Sequence, residues 1–332
     1  MDMNKEMLIY SGIPTFMGAN FISEKEIPKY DVVFLGVPTD YGATYRLGSK
    51  YAPRKLREIS SWLRIDGTDM YDFDKEKILK TNRLNIADIG DIEVDPTNPE
   101  RNQTNISEKV YKIRKKAFPL LCGGDHSITY GSFIGCCKAM KELIPEYEIG
   151  IIHFDAHLDL EDKYLNMPYV WHGNVFRRLI ENNYLRGENL HTIGIRALEE
   201  YELVKYAKDS KINLYPNKKV KKIGLEKIID EIYEKNKNKK IKYYITFDID
   251  AIDMCNAPGT GTPQSDGMKV TECNYALRYM EKLDIVGLDI VELNPIIDSS
   301  DNTFIIASEL LYNFLGFGYK KGEKNEKNSI VI

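Results

Sequence analysis

The sequence has few of the features that disulfide-rich and membrane proteins need. Its 332 residues include five cysteines, an odd number without Cys-x-x-Cys spacing, so neither a disulfide framework nor a zinc ribbon is expected. No apolar stretch approaches the length that spans a bilayer, and the first residues lack the basic and apolar regions of a signal peptide. We therefore expect a cytoplasmic protein that has no membrane partner.

The charge pattern also lacks a basic surface for nucleic acid, because the net charge is −4 and most lysines are scattered. What the chain does contain is 43% hydrophobic and 29% charged residues, which is ordinary for a globular protein. Without a linker or an internal repeat, we predict one domain over 1–332, with an N-terminal extension at 1–29 and a C-terminal tail at 319–332. The lysine-rich stretches 235–240 and 320–327 are interpreted as a solvated helix end and part of that tail.

Short β-branched runs alternate with longer amphipathic stretches, a pattern typical of α/β proteins. The run 31–38 precedes helical periodicity at 53–64, where Pro53 suits a first turn. Strands that are apolar throughout, as at 149–152, are expected where helices cover both faces of a sheet. We therefore predict a three-layer α/β/α sandwich with a mostly parallel sheet of about eight strands, at 31–38, 84–89, 119–122, 149–154, 191–195, 212–215, 243–247 and 285–290.

Four of these strands end in polar residues. In open α/β sheets ligands bind outside the carboxyl ends of the strands, so these four segments should open onto one rim. They are Gly-Gly-Asp-His-Ser at 123–127, His-Phe-Asp-Ala-His-Leu-Asp at 153–159, Asp-Ile-Asp at 248–250 and Asp-Ile-Val-Glu at 289–292.

The spacing within two of these segments indicates a shared direction for their side chains. Alternate residues of an extended chain point the same way, so Asp155, His157 and Asp159 should project together. Asp248 and Asp250 should do likewise. Four carboxylates this close would raise one another's pKa values unless cations compensate their charge.

His126 completes a set of two imidazoles and four carboxylates. This set is too large for one tetrahedral ion but sufficient for two ions that share carboxylates. Manganese suits a carboxylate-rich site without thiolates, and nickel or iron are the alternatives. Two such ions lower the pKa of a shared water toward about 7, so the predicted nucleophile is hydroxide.

These segments and their order resemble those of the arginase/agmatinase, or ureohydrolase, family over roughly 32–314. The stretch Ala-Pro-Gly-Thr-Gly-Thr-Pro at 257–263 is typical of agmatinase-like members, and Ser-Gly-Ile-Pro-Thr-Phe-Met at 11–17 is similar to the same branch. The resemblance implies two Mn²⁺ per chain, with Ni²⁺ as the alternative. One ion would be held by His126, Asp155, Asp159 and Asp248, and the other by His157, Asp155, Asp248 and Asp250.

The resemblance also implies a reaction, in which a guanidino group is hydrolysed to urea and an amine. His172 matches the family's proton-shuttle histidine, and Glu292 matches the carboxylate that pairs with the guanidinium. Asp159 would help to steady the tetrahedral intermediate. Agmatine, which would yield putrescine, ranks first among the expected substrates. Guanidinobutyrate, guanidinopropionate and guanidine follow closely. The segment 172–178 also resembles guanidino-acid hydrolases, which favours the first two of these.

The resemblance further implies a homo-oligomer, either a trimer or a hexamer. Two features depart from the family pattern: Met254 replaces a common proline, and the loop 160–171 is longer and differs in composition. Within that loop, Glu161 and Asp162 are candidates to attract a distal ammonium group or, alternatively, to keep the loop solvated. Outside the family, a single-zinc deacetylase-like enzyme and a non-catalytic metal-binding protein remain alternatives.

Five further residues have simpler interpretations. We interpret Asp125 and Asp253 as capping or turn residues. His153 and His191 are expected to pack in the core or to support metal ligands without binding metal themselves. Cys122 is expected to be a small buried side chain.

Overall fold

A nine-stranded sheet organises the protein, which was analysed as a computed structural model that describes residues 11–320. Every strand pairing in this sheet is parallel, and the order is β1-β5-β2-β6-β11-β10-β7-β8-β9. Strands β3 and β4 form a separate antiparallel hairpin. The strands are β1 Asn20–Phe21, β2 Val32–Val37, β3 Asp69–Asp72, β4 Lys77–Lys80, β5 Ile86–Asp91, β6 Phe118–Gly123, β7 Glu148–Phe154, β8 Leu190–Ile193, β9 Asn213–Tyr215, β10 Ile241–Asp248 and β11 Ile285–Val291.

Helices cover both faces of the sheet. Side chains of each strand point alternately to the two faces, so each face forms its own hydrophobic core with the helices that pack on it. In β2, Val32 and Phe34 belong to one core, while Val33 and Leu35 belong to the other. Helices α1 and α6–α9 contribute to the first core, and α2–α5 contribute to the second. The helices are α1 Ala52–Ser60, α2 Pro99–Arg114, α3 Ile128–Leu143, α4 Val175–Glu181, α5 Tyr201–Asp209, α6 Asn217–Ile223, α7 Leu225–Asn236, α8 Val270–Tyr279 and α9 Asn302–Asn313.

The predicted α/β/α sandwich with a parallel sheet is confirmed, and each predicted strand is present with shifted ends. The sheet has one strand more than the expected eight, because the two-residue strand β1 pairs with the outer side of β5. Residues before β2 also join the core: the Phe16 ring stacks on Phe34 at 4.4 Å between ring centroids. Most of the lysine-rich stretch 320–327 lies outside the described residues. In the described part of the chain, none of the helices has the length and apolar character needed to cross a membrane.

Candidate metal centre

The four strands that carry the polar segments are neighbours in the sheet. Their order is β6-β11-β10-β7, and all four run parallel, so their carboxyl ends form one edge. The structure therefore brings the six candidate ligands together at this edge, where each polar segment leaves its strand.

The first group of donor atoms surrounds the Nδ1 atom of His126. This atom lies 3.2 Å from Asp155 Oδ2, 3.0 Å from Asp159 Oδ2 and 3.3 Å from Asp248 Oδ2. It is buried and has no hydrogen-bond partner within residues 11–320. One imidazole nitrogen and three carboxylate oxygens thus converge on one small volume.

The second group surrounds the Nδ1 atom of His157. This atom lies 3.2 Å from Asp155 Oδ1 and 3.1 Å from Asp250 Oδ2, and that Asp250 oxygen also lacks a hydrogen-bond partner in the described part of the chain. Asp155 directs one oxygen to each group, so the two groups share this carboxylate. Asp248 directs Oδ2 to the first group, while its Oδ1 accepts the backbone N–H of Asp250 at 2.8 Å.

The electrostatics of the two groups fit bound cations. Burial, together with the neighbouring carboxylates Asp250 and Asp155, raises the pKa of Asp248 well above its ordinary value. Burial and Asp155 also raise the pKa of Asp250. Divalent cations would offset this desolvation and repulsion, and the donor set of imidazole nitrogen and carboxylate oxygen is one that such ions accept. The residues present therefore fit a binuclear metal centre.

Hydroxyl groups support the first histidine from behind. His126 Nε2 lies 2.9 Å from the Thr246 hydroxyl, which is 3.2 Å from the Thr129 hydroxyl. Thr129 in turn donates to the buried carboxylate of Asp289 at 3.0 Å. A proton on Nε2, donated to Thr246, leaves the Nδ1 lone pair free for a metal ion.

His153 lies beside the centre, although the sequence analysis gave it no place among the site residues. Its Nε2 is 2.8 Å from Asp155 Oδ2, and its Nδ1 is 3.3 Å from the Thr192 hydroxyl. The contact places His153 behind the Asp155 carboxylate, which agrees with the expectation that it supports a metal ligand without binding metal itself. The alternation that grouped Asp155, His157 and Asp159 includes His153 as well, so this signal could have identified it.

His172 and Glu292 contact each other next to the first group. His172 Nδ1 lies 3.1 Å from Glu292 Oε1, and its Nε2 lies 2.9 Å from the Thr44 hydroxyl. The same Glu292 oxygen accepts the backbone N–H of His126 at 2.9 Å. Burial alone would lower the pKa of His172, but the Glu292 carboxylate, with Asp159 and Asp125, outweighs burial and raises the pKa to about 9.

Two residues of the site, Asp159 and Glu292, have a backbone conformation that non-glycine residues rarely adopt. Asp159 has a φ of 52° and Glu292 a φ of 64°, both in the left-handed region. Non-glycine residues there cost about 1–3 kcal/mol each and persist where the surrounding structure fixes them. The strain therefore marks positions at which the direction of a carboxylate is enforced.

The two aspartates interpreted as turn residues brace the loops of the centre. Asp125 accepts the backbone N–H groups of Ser127 at 2.9 Å and Gly42 at 3.0 Å, and burial, with Glu292 nearby, raises its pKa to about 6. Asp253 accepts those of Cys255 at 2.9 Å and Gly267 at 2.8 Å.

The remaining residues with simple interpretations lie away from the donor atoms. The His191 ring packs between Tyr215 and Tyr243, and burial lowers its pKa to about 3. Cys122 is fully buried, and burial raises the pKa of its thiol. Neither residue takes part in the metal centre.

Comparisons with known proteins agree with this geometry. The Arginase family profile matches residues 30–316. The chain is 32% identical over 316 residues to a guanidinobutyrase of Pseudomonas aeruginosa, covering 93% of each protein. It is 33% identical to a mitochondrial guanidino acid hydrolase of Homo sapiens, covering 86% of this chain and 77% of the relative. It is also 31% identical to an agmatinase of Bacillus anthracis, covering 90% and 96% respectively.

The fold matches solved structures of the same kind. A proclavaminate amidino hydrolase from Streptomyces clavuligerus superposes with a TM-score of 0.78 and 28% identity, covering 92% of this chain and 97% of that one. The arginase family depends on binuclear metal centres, and the described residues contain a His/Asp cluster able to bind metal. The chain therefore belongs to the arginase family and is a hydrolase that acts on the C–N bonds of amidine groups.

Proposed function

We propose that the chain hydrolyses the guanidino group of a small molecule to urea and an amine, with agmatine as the preferred substrate. The observation that carries this proposal is the contact between His172 and Glu292. It lies beside the two groups of donor atoms that could hold metal ions and that share Asp155. A single-zinc deacetylase-like site would need only one of these donor groups. A non-catalytic metal-binding protein would need neither His172 nor Glu292.

The proposed ions are two Mn²⁺ per chain, with Ni²⁺ as the alternative. His126, Asp155, Asp159 and Asp248 would hold one ion, and His157, Asp155, Asp248 and Asp250 the other. When bound, two such ions lower the pKa of a shared water and so supply hydroxide at neutral pH.

The chain's own residues would then position the substrate and move its proton. The Glu292 carboxylate pairs with the guanidinium and aims the guanidino carbon at the metal centre. His172, whose pKa is raised to about 9, is protonated at neutral pH and can donate this proton to the leaving amine. The Asp159 carboxylate steadies the tetrahedral intermediate by accepting a hydrogen bond from it.

The rim of the site supports a substrate with a cationic tail. The backbone N–H of Glu161 donates to Gly173, next to His172, at 2.8 Å, and its carboxylate has neither a hydrogen bond nor an ion pair within residues 11–320. Burial, with Glu200 and Asp159 nearby, raises its pKa. An ammonium group at the far end of the substrate would relieve this repulsion.

Asp162, the second acidic residue of the candidate pair, is already neutralised. Its carboxylate lies 2.7 Å from Arg178 and 3.4 Å from Arg177. The hypothesis that this pair attracts the distal ammonium therefore narrows to Glu161.

Replacing Glu161 with lysine is expected to raise the KM for agmatine roughly tenfold, because the substitution replaces an unpaired carboxylate by an ammonium group. The KM for guanidinobutyrate, whose tail is an anion, should stay the same or fall. The measurement is steady-state urea release with both substrates. Asp162→Lys is the matched control, and its KM for agmatine should change less than twofold. An unchanged KM in Glu161→Lys would end the proposed role of this residue.

The activity itself is tested by loading the protein with Mn²⁺ or Ni²⁺ and measuring urea release. The substrates are agmatine, arginine, guanidinobutyrate, guanidinopropionate, formiminoglutamate and guanidine. We expect the highest kcat/KM with agmatine and a metal content of two ions per chain. If none of the six yields urea or formamide, the proposed function is wrong.

We also propose that the whole chain acts as one ureohydrolase domain in a trimer or hexamer. Light scattering of the metal-loaded protein gives the number of chains directly.

A further inference from the structure

A cavity of about 390 Å³ lies at the end of the sheet opposite the metal centre, where the central parallel strands begin. The first residues of β6 and β11 and the end of helix α2 line it, through Phe118, Ile285 and Arg114. We call it the Arg114 cavity. It shares no residue with the metal centre.

Arg114 is the last residue of α2, and its guanidinium is largely enclosed. The Nε atom is buried and has no hydrogen-bond partner, and the side chain forms no ion pair within residues 11–320. Burial lowers the pKa of the guanidinium, and the titratable groups that act against this are the Cys136 thiol and the Tyr319 hydroxyl. An enclosed cation without a counter-charge is unfavourable, because it loses hydration that nothing replaces.

Arg57 shows how this protein treats another enclosed arginine. The Arg57 guanidinium lies 2.8 Å from Asp88 and 2.7 Å from Asp91, so two carboxylates compensate its burial. Arg114 has no such carboxylate among the described residues. An anion from solution could take the place that Asp88 and Asp91 occupy at Arg57.

The remaining charges of the Arg114 cavity also favour an anion. Lys116 and Lys320 lie at its rim and are exposed, whereas Lys242 is already paired with Asp284 at 2.9 Å. Asp31 also lines the cavity, and its carboxylate accepts the backbone N–H of Asn85 at 3.0 Å. Within residues 11–320, Arg114, Lys116 and Lys320 have no carboxylate partner, whereas two carboxylates, those of Asp31 and Asp284, line the cavity.

We propose that the Arg114 cavity binds a small oxyanion, either a carboxylate or a phosphate, through the guanidinium of Arg114. A planar guanidinium presents two parallel N–H groups, which suit two oxygens of one anion. The exposed lysines at the rim attract the anion toward the cavity.

The test uses the full chain, loaded with Mn²⁺ and freed of excess metal, at constant ionic strength. Its Tm is measured against rising concentrations of inorganic phosphate and, separately, of succinate, with chloride as the reference. The variants are Arg114→Met, which removes the charge at similar length, and Arg101→Met, the matched control on an exposed site of the same helix. Binding to the folded state alone should raise the Tm of wild type and Arg101→Met by roughly 3–6 °C near saturation.

Arg114→Met should show no rise beyond that in chloride, and without anion it should be at least as stable as wild type. Whichever anion raises the Tm identifies the source as a phosphate or a carboxylate. Equal rises in wild type and Arg114→Met would place the anion elsewhere, for instance on the metal ions, and would overturn the proposal. Should Arg114→Met not fold, Arg114→Lys keeps the charge without the two parallel donors, and calorimetric titration should then show roughly tenfold weaker binding than wild type. Equal affinity, or no binding of either anion to wild type, would also overturn the proposal.

Discussion

Replacing Asp155 with asparagine is expected to lower kcat/KM for the preferred guanidino substrate by a factor of at least roughly 10³. Asp155 directs Oδ2 to His126 and Oδ1 to His157, so its two oxygens serve both donor groups. An asparagine retains only one oxygen and no charge. Loss of residues that merely support metal ligands costs about 10–100-fold, and loss of a ligand shared by two ions should cost more. Urea release and the metal content after gel filtration are the measurements.

The metal content of Asp155→Asn should fall below two ions per chain, and Mn²⁺ should raise its Tm less than that of wild type. Asp253→Asn is the matched control, since Asp253 braces the neighbouring loop through Cys255 and Gly267 and faces neither donor group. It should retain two ions. If Asp155→Asn bound two ions with wild-type affinity, the shared position of Asp155 would be wrong.

The layers of the fold were predictable because the central strands are short, apolar and separated by amphipathic helices. The hairpin β3–β4 was missed because its side chains are mostly exposed and show no alternation, as for Met70 and Ile78. Tertiary contacts connect this hairpin to helix α8 at a distant point of the chain. Asp72 pairs with Arg278, and Tyr275 donates to Asp74 at 2.8 Å. No local pattern indicates such partners.

Alternation predicted that Asp155, His157 and Asp159 lie together, but β7 ends at Phe154 and Asp159 has a φ of 52°, so the chain that carries these donors is not extended. Asp155 meets His157 locally, two residues along the chain, but its contact with His126 depends on how β6 and β7 are placed in the sheet. The neutralisation of Asp162 by Arg178 likewise joins residues 16 positions apart. Sequence spacing gives a direction for each side chain, but the pairing of charges requires the tertiary structure.

The contact between His172 and Glu292 joins residues 120 positions apart, and it leads to the second large effect. Replacing Glu292 with glutamine is expected to lower kcat/KM roughly 10³-fold, because the neutral amide cannot form the charged pair that orients the guanidinium. Glutamine still offers an oxygen to the backbone N–H of His126, so the loop should keep its conformation. The measurement is steady-state urea release.

The pH profile of the same variant separates a loss of substrate pairing from a loss of the proton on His172. Burial lowers the pKa of His172, but the carboxylates of Glu292, Asp159 and Asp125 together outweigh burial and raise the pKa to about 9. As a proton donor His172 must be protonated, so wild-type kcat/KM should fall as pH rises through about 9. In Glu292→Gln the contribution of the Glu292 carboxylate is lost while those of Asp159 and Asp125 remain, so the fall should begin at a lower pH than in wild type.

Glu199→Gln is the control for this shift. Glu199 also lies beside the donor groups, where it accepts the N–H of Leu158 at 2.9 Å, but it does not contact His172. The kcat/KM of Glu199→Gln should fall as pH rises through about 9, as that of wild type does. If that fall stayed near pH 9 in Glu292→Gln, Glu292 would not be the group that holds the proton on His172. The raised pKa would then require another carboxylate, and Asp159 and Asp125 are the two that also act on this imidazole.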